Sequence, residues 1–201
     1  FDSLFTSLRY LGFALAGKPY MAIGRNLAYR KELFFSQKGY STHLNLQRGE
    51  DDLFINQVAN GENTRVETDS NAIVRMQPVE RYKDWKEEKI SYLATARYYQ
   101  GSQRYFLGFE TFSRLLFYAA FLTAIVLGVL HFHWIVASIA LFAWLLRFTV
   151  QAFIINKTAT EQKEQRHYYF SLPLFDILQP LQTLKFRLYR VYRGKGDFMR
   201  R

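Results

Sequence analysis

Between residues 115 and 155 the chain carries one formal charge, Arg147, in 41 residues. Nothing else in the sequence constrains the fold as tightly. A soluble core does not hold so long an uncharged run, whereas a membrane-spanning helix needs about 20 consecutive apolar residues. The run divides at His131-Phe132-His133, which predicts two spans, 115–131 and 134–155, joined as a tight hairpin. Such a hairpin returns the chain to the face it left. Arg104 and Arg114 precede it and basic residues follow it, so the excess of positive charge predicts that both flanks are cytoplasmic. The cell membrane is the expected location, with the chain crossing it more than once. His131 and His133 read as interfacial turn residues. Arg147 reads as facing a partner helix or snorkelling towards the surface.

The rest of the chain is polar and basic. Net charge is +10, from 27 Lys and Arg against 17 Asp and Glu. Seven of the basic residues lie in 185–201, directly after the apolar region, where they point to anionic membrane lipids rather than to nucleic acid. The absence of cysteine excludes disulfides and thiolate zinc sites.

Residues 4–35 read as amphipathic and helical around a break at Gly17-Lys18-Pro19. Residues 36–49 read as a loop and 51–60 as a helix stopped by Asn60-Gly61. Alternating β-branched and polar residues predict short strands at 64–68 and 72–76. Asp84 followed by Glu87 has the spacing of a capping box and predicts a helix start. On that helix Trp85, Tyr92, Ala96 and Tyr99 fall on one stripe, with Glu88 beside them. Residues 101–114 mix aromatics with arginine, as in a helix lying at the membrane surface. After a polar linker at 156–167, Pro173, Asp176 and Pro180 argue for an interfacial amphipathic helix over a third span.

Glu50-Asp51-Asp52, in "RGEDDLFIN", is the chemical feature of the chain. Three adjacent carboxylates repel one another, so their placement needs a reason. They fit a helix N-terminus, where the dipole and the first N–H groups favour them. They also fit a catalytic base, and, with further ligands, a metal site.

The ordered combination "GRNLAYRKELFF…KGY…RGEDDLFIN…VE…W…YY" resembles the C-terminal half of the catalytic domain of membrane-bound family 2 glycosyltransferases. The resemblance implies an α/β fold class: a partial GT-A-like catalytic domain over 1–100, an interfacial helix at 101–114, two transmembrane helices within 115–155, and a linker, interfacial helix and basic cytoplasmic tail over 156–201. It implies an inverting enzyme that moves a sugar from a nucleotide-sugar donor to a glycan or lipid-linked acceptor, in the synthesis of cell-envelope polysaccharide or glycolipid. On this resemblance Asp51 is the general base, with Glu50 and Asp52 beside it. Gly24, Arg25 and Asn26 line the acceptor side, and Trp85, Glu88, Lys89 and Tyr92 contact substrate.

Processive members of that family carry Gln-x-x-Arg-Trp on an interfacial helix. The corresponding stretch here, Glu88-Lys89-Ile90-Ser91-Tyr92, departs at all three defined positions, which speaks against processive synthesis. A divalent metal (Mg or Mn) and the donor are held in the family by an Asp-x-Asp motif that this sequence lacks. The implied expectation is a chain that begins inside the catalytic domain and is inactive by itself. The alternative is a membrane-anchored interaction or regulatory protein that keeps a degenerate transferase half.

Overall fold

The computed structural model describes residues 1–193 apart from Gln47, Ser70, Met76 and Pro78. The basic tail beyond residue 193, and the end of the segment at 72–76, therefore lie outside the described residues. Among the described residues seven α-helices follow one another: α1 (Asp2–Leu15), α2 (Lys31–Ser36), α3 (Asp52–Val58), α4 (Tyr82–Thr95), α5 (Gln103–Leu130), α6 (Trp134–Glu161) and α7 (Leu172–Arg193). Short 3-10 turns lie at Gly24–Asn26, Ser41–His43 and Ala96–Tyr98.

The α/β expectation is corrected. Of the described residues 67% are helical and none lies in a strand or sheet, so a partial GT-A-like domain has no support here. The segments expected to be strands show the physical reason. Polar side chains near them satisfy the backbone locally: Asn60 Oδ1 accepts from the Glu62 and Asn63 amides (both 2.9 Å), and Asn63 Oδ1 accepts from the Asn60 amide (2.8 Å). Glu67 and Asp69 likewise take the amides of Asp69 and Asn71. Local side-chain bonds of this kind compete with a ladder, and two short alternating runs are not enough to override them.

The chain forms two compact units. The first comprises Phe1–Phe5 and Phe106–Gln182. In it α5 and α6 are both long and apolar enough to cross a membrane: Tyr105–Leu130 contains an 18-residue stretch of mean hydropathy 2.0 and Trp134–Glu161 one of 1.8, yet only 11% of each stretch is buried. Helices this apolar and this exposed are not the core of a soluble domain. The turn between them uses Phe132 at φ 57°. Gly128 lets the helices meet there, since a Cβ on it would lie 3.1 Å from the Ala137 Cβ. Segment 103–114 belongs to the same continuous helix as the first apolar stretch.

Arg147 does not stand alone in this unit. Asp176 on α7 is 1% exposed; it accepts from Arg147 Nη2 (3.0 Å), Tyr118 Oη (2.6 Å) and Gln151 Nε2 (3.2 Å), and forms an ion pair with Arg114, whose Nε lies at 3.2 Å. Glu110, one turn before Arg114, adds a second carboxylate at 3.8 Å. At a rise of about 1.5 Å per residue, Arg114 lies about 24 Å from Leu130 along α5, and Arg147 about 20 Å from Trp134 along α6. The polar network thus lies about 20–24 Å from the turn, within the ~30 Å depth of a hydrocarbon core, and joins the helices towards the base of the hairpin. α7 runs continuously through Pro180. An aromatic cluster adjoins this network: Phe1 stacks on Phe175 at 4.6 Å and meets the edge of Tyr168 at 5.6 Å, and the Arg114 guanidinium lies 4.5 Å from the centroid of the Phe5 ring.

The second unit comprises Thr6–Tyr105 and Thr183–Arg201. Its core is Tyr20, Leu53, Phe54, Ile55, Ile90, Tyr99 and Phe186, all buried. Asn56 ties it together, donating to the Tyr20 carbonyl (2.8 Å) and accepting from the Gln100 amide (2.6 Å). The segment 4–35 breaks after Leu15, with Gly17 at φ 73°, and there Gly17 and Gly61 approach so closely that a Cβ on Gly61 would sit 2.7 Å from the Gly17 carbonyl oxygen. α4 begins two residues before the expected cap. Arg81 is its N-cap without a side-chain bond, and Asp84 in the first turn accepts from Arg81 Nε at 2.8 Å.

Candidate functional site

The acids sit where a turn becomes α3. Gly49 adopts φ 119°, and a Cβ on it would lie 2.6 Å from Leu53 Cδ1, so glycine is required to start this turn. Three carboxylates then point to three different surroundings. Glu50 is exposed. Asp51 is the N-cap: its Oδ1 accepts from the Asp52 amide at 2.8 Å, and its Oδ2 accepts from the Gly24 amide at 2.7 Å. Asp52, 1% exposed, turns into the core, where Oδ2 accepts from Thr95 Oγ1 (2.5 Å) and Tyr99 Oη (2.8 Å) and Oδ1 from the Leu53 amide (2.9 Å). Burial raises the Asp52 pKa above its ordinary value, and the hydroxyl bonds only partly oppose this.

Several residues singled out in the sequence gather around Asp51. Gly24 donates to it directly. Arg25 pairs with Glu88 of α4 at 2.7 Å. Tyr92, one turn beyond Glu88, has its pKa pushed up to about 12 by burial and by the nearby charges of Asp51 and Glu88. Its hydroxyl therefore keeps its proton. A carboxylate, an ion pair and a neutral phenol thus share one region. Gly24 itself is not sterically obligatory, because an added Cβ would meet Asp51 Oδ2 at an ordinary 3.4 Å.

Other singled-out residues lie elsewhere. Asn26 donates to the Ala72 carbonyl at 3.0 Å and so fastens a loop. Trp85 packs edge-on against buried Phe186 at 5.6 Å. Lys89 is half-buried on α4. Thr95 and Tyr99 were not legible as acid partners, although their spacing of four repeats the stripe that already contained Tyr99.

The trio does not fit a divalent cation. Both Asp51 oxygens take backbone N–H groups, Asp52 faces hydroxyl donors in the core, and no three metal-ligating side chains group together among the described residues. A cation site needs oxygens that converge. What the fold and site define is a helical chain with two membrane-competent helices and one ordered carboxylate at a helix start. Comparison with family models, with curated proteins and with solved structures returns no match.

Proposed function

We propose that this chain carries the acceptor side of a membrane-anchored inverting glycosyltransferase, with Asp51 as its general base. One observation carries the reading: Asp51 is held by a backbone amide on each oxygen, beside Tyr92 and the Arg25–Glu88 pair. Two amides occupy two of about four lone-pair positions, which leaves the carboxylate oriented and still able to accept a proton. In the reaction the acceptor oxygen bonds to the anomeric carbon while the bond from that carbon to the donor phosphate breaks. The acceptor proton passes to Asp51, and the bonding electrons leave with the nucleotide diphosphate. Inversion requires the base on the face opposite the leaving group. On this reading Glu88 and Arg25 bond acceptor hydroxyls, and the Tyr92 hydroxyl donates to one. The expected divalent metal and donor site are not supplied by these acids, so no step is assigned to a metal.

The test is incorporation of labelled sugar by membranes containing the chain together with the donor-binding part that this reading requires, supplied with uridine and guanosine diphosphate sugars and manganese. Transfer to a lipid-soluble or polymeric product supports the reading; no transfer from any donor removes it. We also place both flanks of the hairpin on the cytoplasmic side of the cell membrane. Cysteines introduced at Phe132, in the turn, and at Gln165, in the loop after α6, should label from opposite sides. Labelling from the same side would contradict a spanning hairpin.

A second reading has its own observation. Asp51 caps α3 and Asp52 bonds into the core, so all the ordered acids have structural duties that a non-catalytic membrane interaction protein would equally need.

A further inference from the structure

Where α4 ends, a cluster of arginines gathers that the carboxylate site does not use. Arg97 lies in the 3-10 turn after α4, with its guanidinium carbon 4.5 Å from the centroid of the Tyr98 ring and its Nη2 bonded to the Tyr98 hydroxyl. Arg48 reaches the same place from the turn before α3, donating from Nη1 to Ser91 Oγ at 3.2 Å. Arg48, Ser91, Arg97 and Tyr98, with Leu46 and Ala94 beneath, line one shallow surface cleft. From α7, Arg190 donates to the Leu93 carbonyl. Burial and the charges of Arg97 and Arg187 lower the Arg190 pKa, so the three guanidiniums feel one another.

Among the described residues this cluster has no carboxylate counter-charge. Arg25, Arg81, Arg114 and Arg147 each have a carboxylate partner. Arg48, Arg97, Arg187 and Arg190 form no ion pair with any carboxylate among the described residues. The Nε of Arg97 is moreover buried without an acceptor. Clustered like charge costs stability in the empty state, and a bound anion offsets it.

The same stretch of α7 identifies the anion. Leu184, Leu188 and Val191 recur at i, i+4 and i+7, and all three are exposed, Val191 by 71%. A helix that carries an exposed apolar stripe next to arginines suits the boundary between headgroups and acyl chains. We propose that Arg48, Arg97, Arg187 and Arg190 bind the phosphate of an anionic phospholipid whose acyl chains lie along Leu184, Leu188 and Val191. This site does not depend on glycosyl transfer and stands or falls separately from it.

The test uses the full chain in detergent micelles, titrated with short-chain phosphatidylglycerol, short-chain phosphatidylcholine or inorganic phosphate, with thermal unfolding and calorimetry as readouts. Phosphatidylglycerol should bind saturably and raise the melting temperature, and phosphatidylcholine should do neither. Arg97→Gln should weaken phosphatidylglycerol binding about five-fold, the size of one basic contact to an anionic headgroup. Arg48→Gln, at an exposed position outside the core, should weaken it comparably and serves if Arg97→Gln does not fold. Equal binding of the two lipids, or unchanged affinity in the folded variants, would overturn the proposal. Inorganic phosphate binding as tightly as phosphatidylglycerol would overturn the lipid assignment in favour of a soluble phosphoanion.

Discussion

Asp52 and Asp176 are each 1% exposed, yet the two units keep them in opposite ways. In the second unit Asp52 is surrounded by neutral donors, Thr95, Tyr99 and a backbone amide. In the first, Asp176 is held by two guanidiniums, a phenol and a carboxamide, between helices whose outer faces are apolar. Hydroxyls can satisfy a buried carboxylate's lone pairs but cannot cancel its charge, and burial accordingly raises the Asp52 pKa. Cations in an apolar helix bundle have the reverse need. Arg114 and Arg147 require an acid, and Asp176 answers both. One aspartate thus orders a polar core, while the other makes two arginines tolerable among apolar helices.

Asp176→Ala breaks the contrast most severely. It strips the carboxylate from two arginines at once, and an orphaned buried charge costs about 3–5 kcal/mol. Glu110 at 3.8 Å from Arg114 recovers part of this. Thermal unfolding of the detergent-solubilised chain should show the loss, and pairing the change with Arg114→Met and Arg147→Met should restore much of it. A single variant as stable as the parent would show that the network does not hold the hairpin base.

Asp52→Ala should cost less, about 1–3 kcal/mol, since what it orphans are the neutral hydroxyls of Thr95 and Tyr99. Asp52→Asn sharpens the point through pH. The folded-state pKa of Asp52 is raised above 3.8, so its favourable contribution is fully present below that value and is lost as pH rises through the folded value. Relative to Asp52→Asn, the parent should therefore lose stability as pH climbs from about 4. A difference that does not change with pH would mean the carboxyl is as well accommodated charged as neutral.

The sequence makes some of this legible and hides the rest for physical reasons. Composition alone locates α5 and α6, because an uncharged run of that length has few other uses, and His131-Phe132-His133 marks their turn. The start of α3 follows from Gly49 and the acids. The partnership of Arg147 with Asp176 does not follow, because 29 residues and a linker separate them and no local period connects them. The division of labour within Glu50-Asp51-Asp52 is equally hidden. Neighbours on a helix start point about 100° apart, and only the fold decides which one meets Thr95 and Tyr99. The strand expectation failed where Asn60, Asn63, Glu67 and Asp69 bond their own backbone.

That division can be read in a single paired experiment: Asp51→Asn and Asp52→Asn, each assayed for sugar transfer and for melting temperature on the same preparation. Asparagine at 51 keeps one acceptor where two amides now bond, so a modest loss of stability is expected, about 1 kcal/mol. Transfer should nevertheless fall about 10²–10⁴-fold, the usual contribution of a general base. Asp52→Asn should move the melting curve and its pH dependence while transfer by the folded fraction stays near that of the parent. Near-parental transfer by Asp51→Asn, or a larger loss of transfer in folded Asp52→Asn, would contradict the assignment of Asp51 as the base.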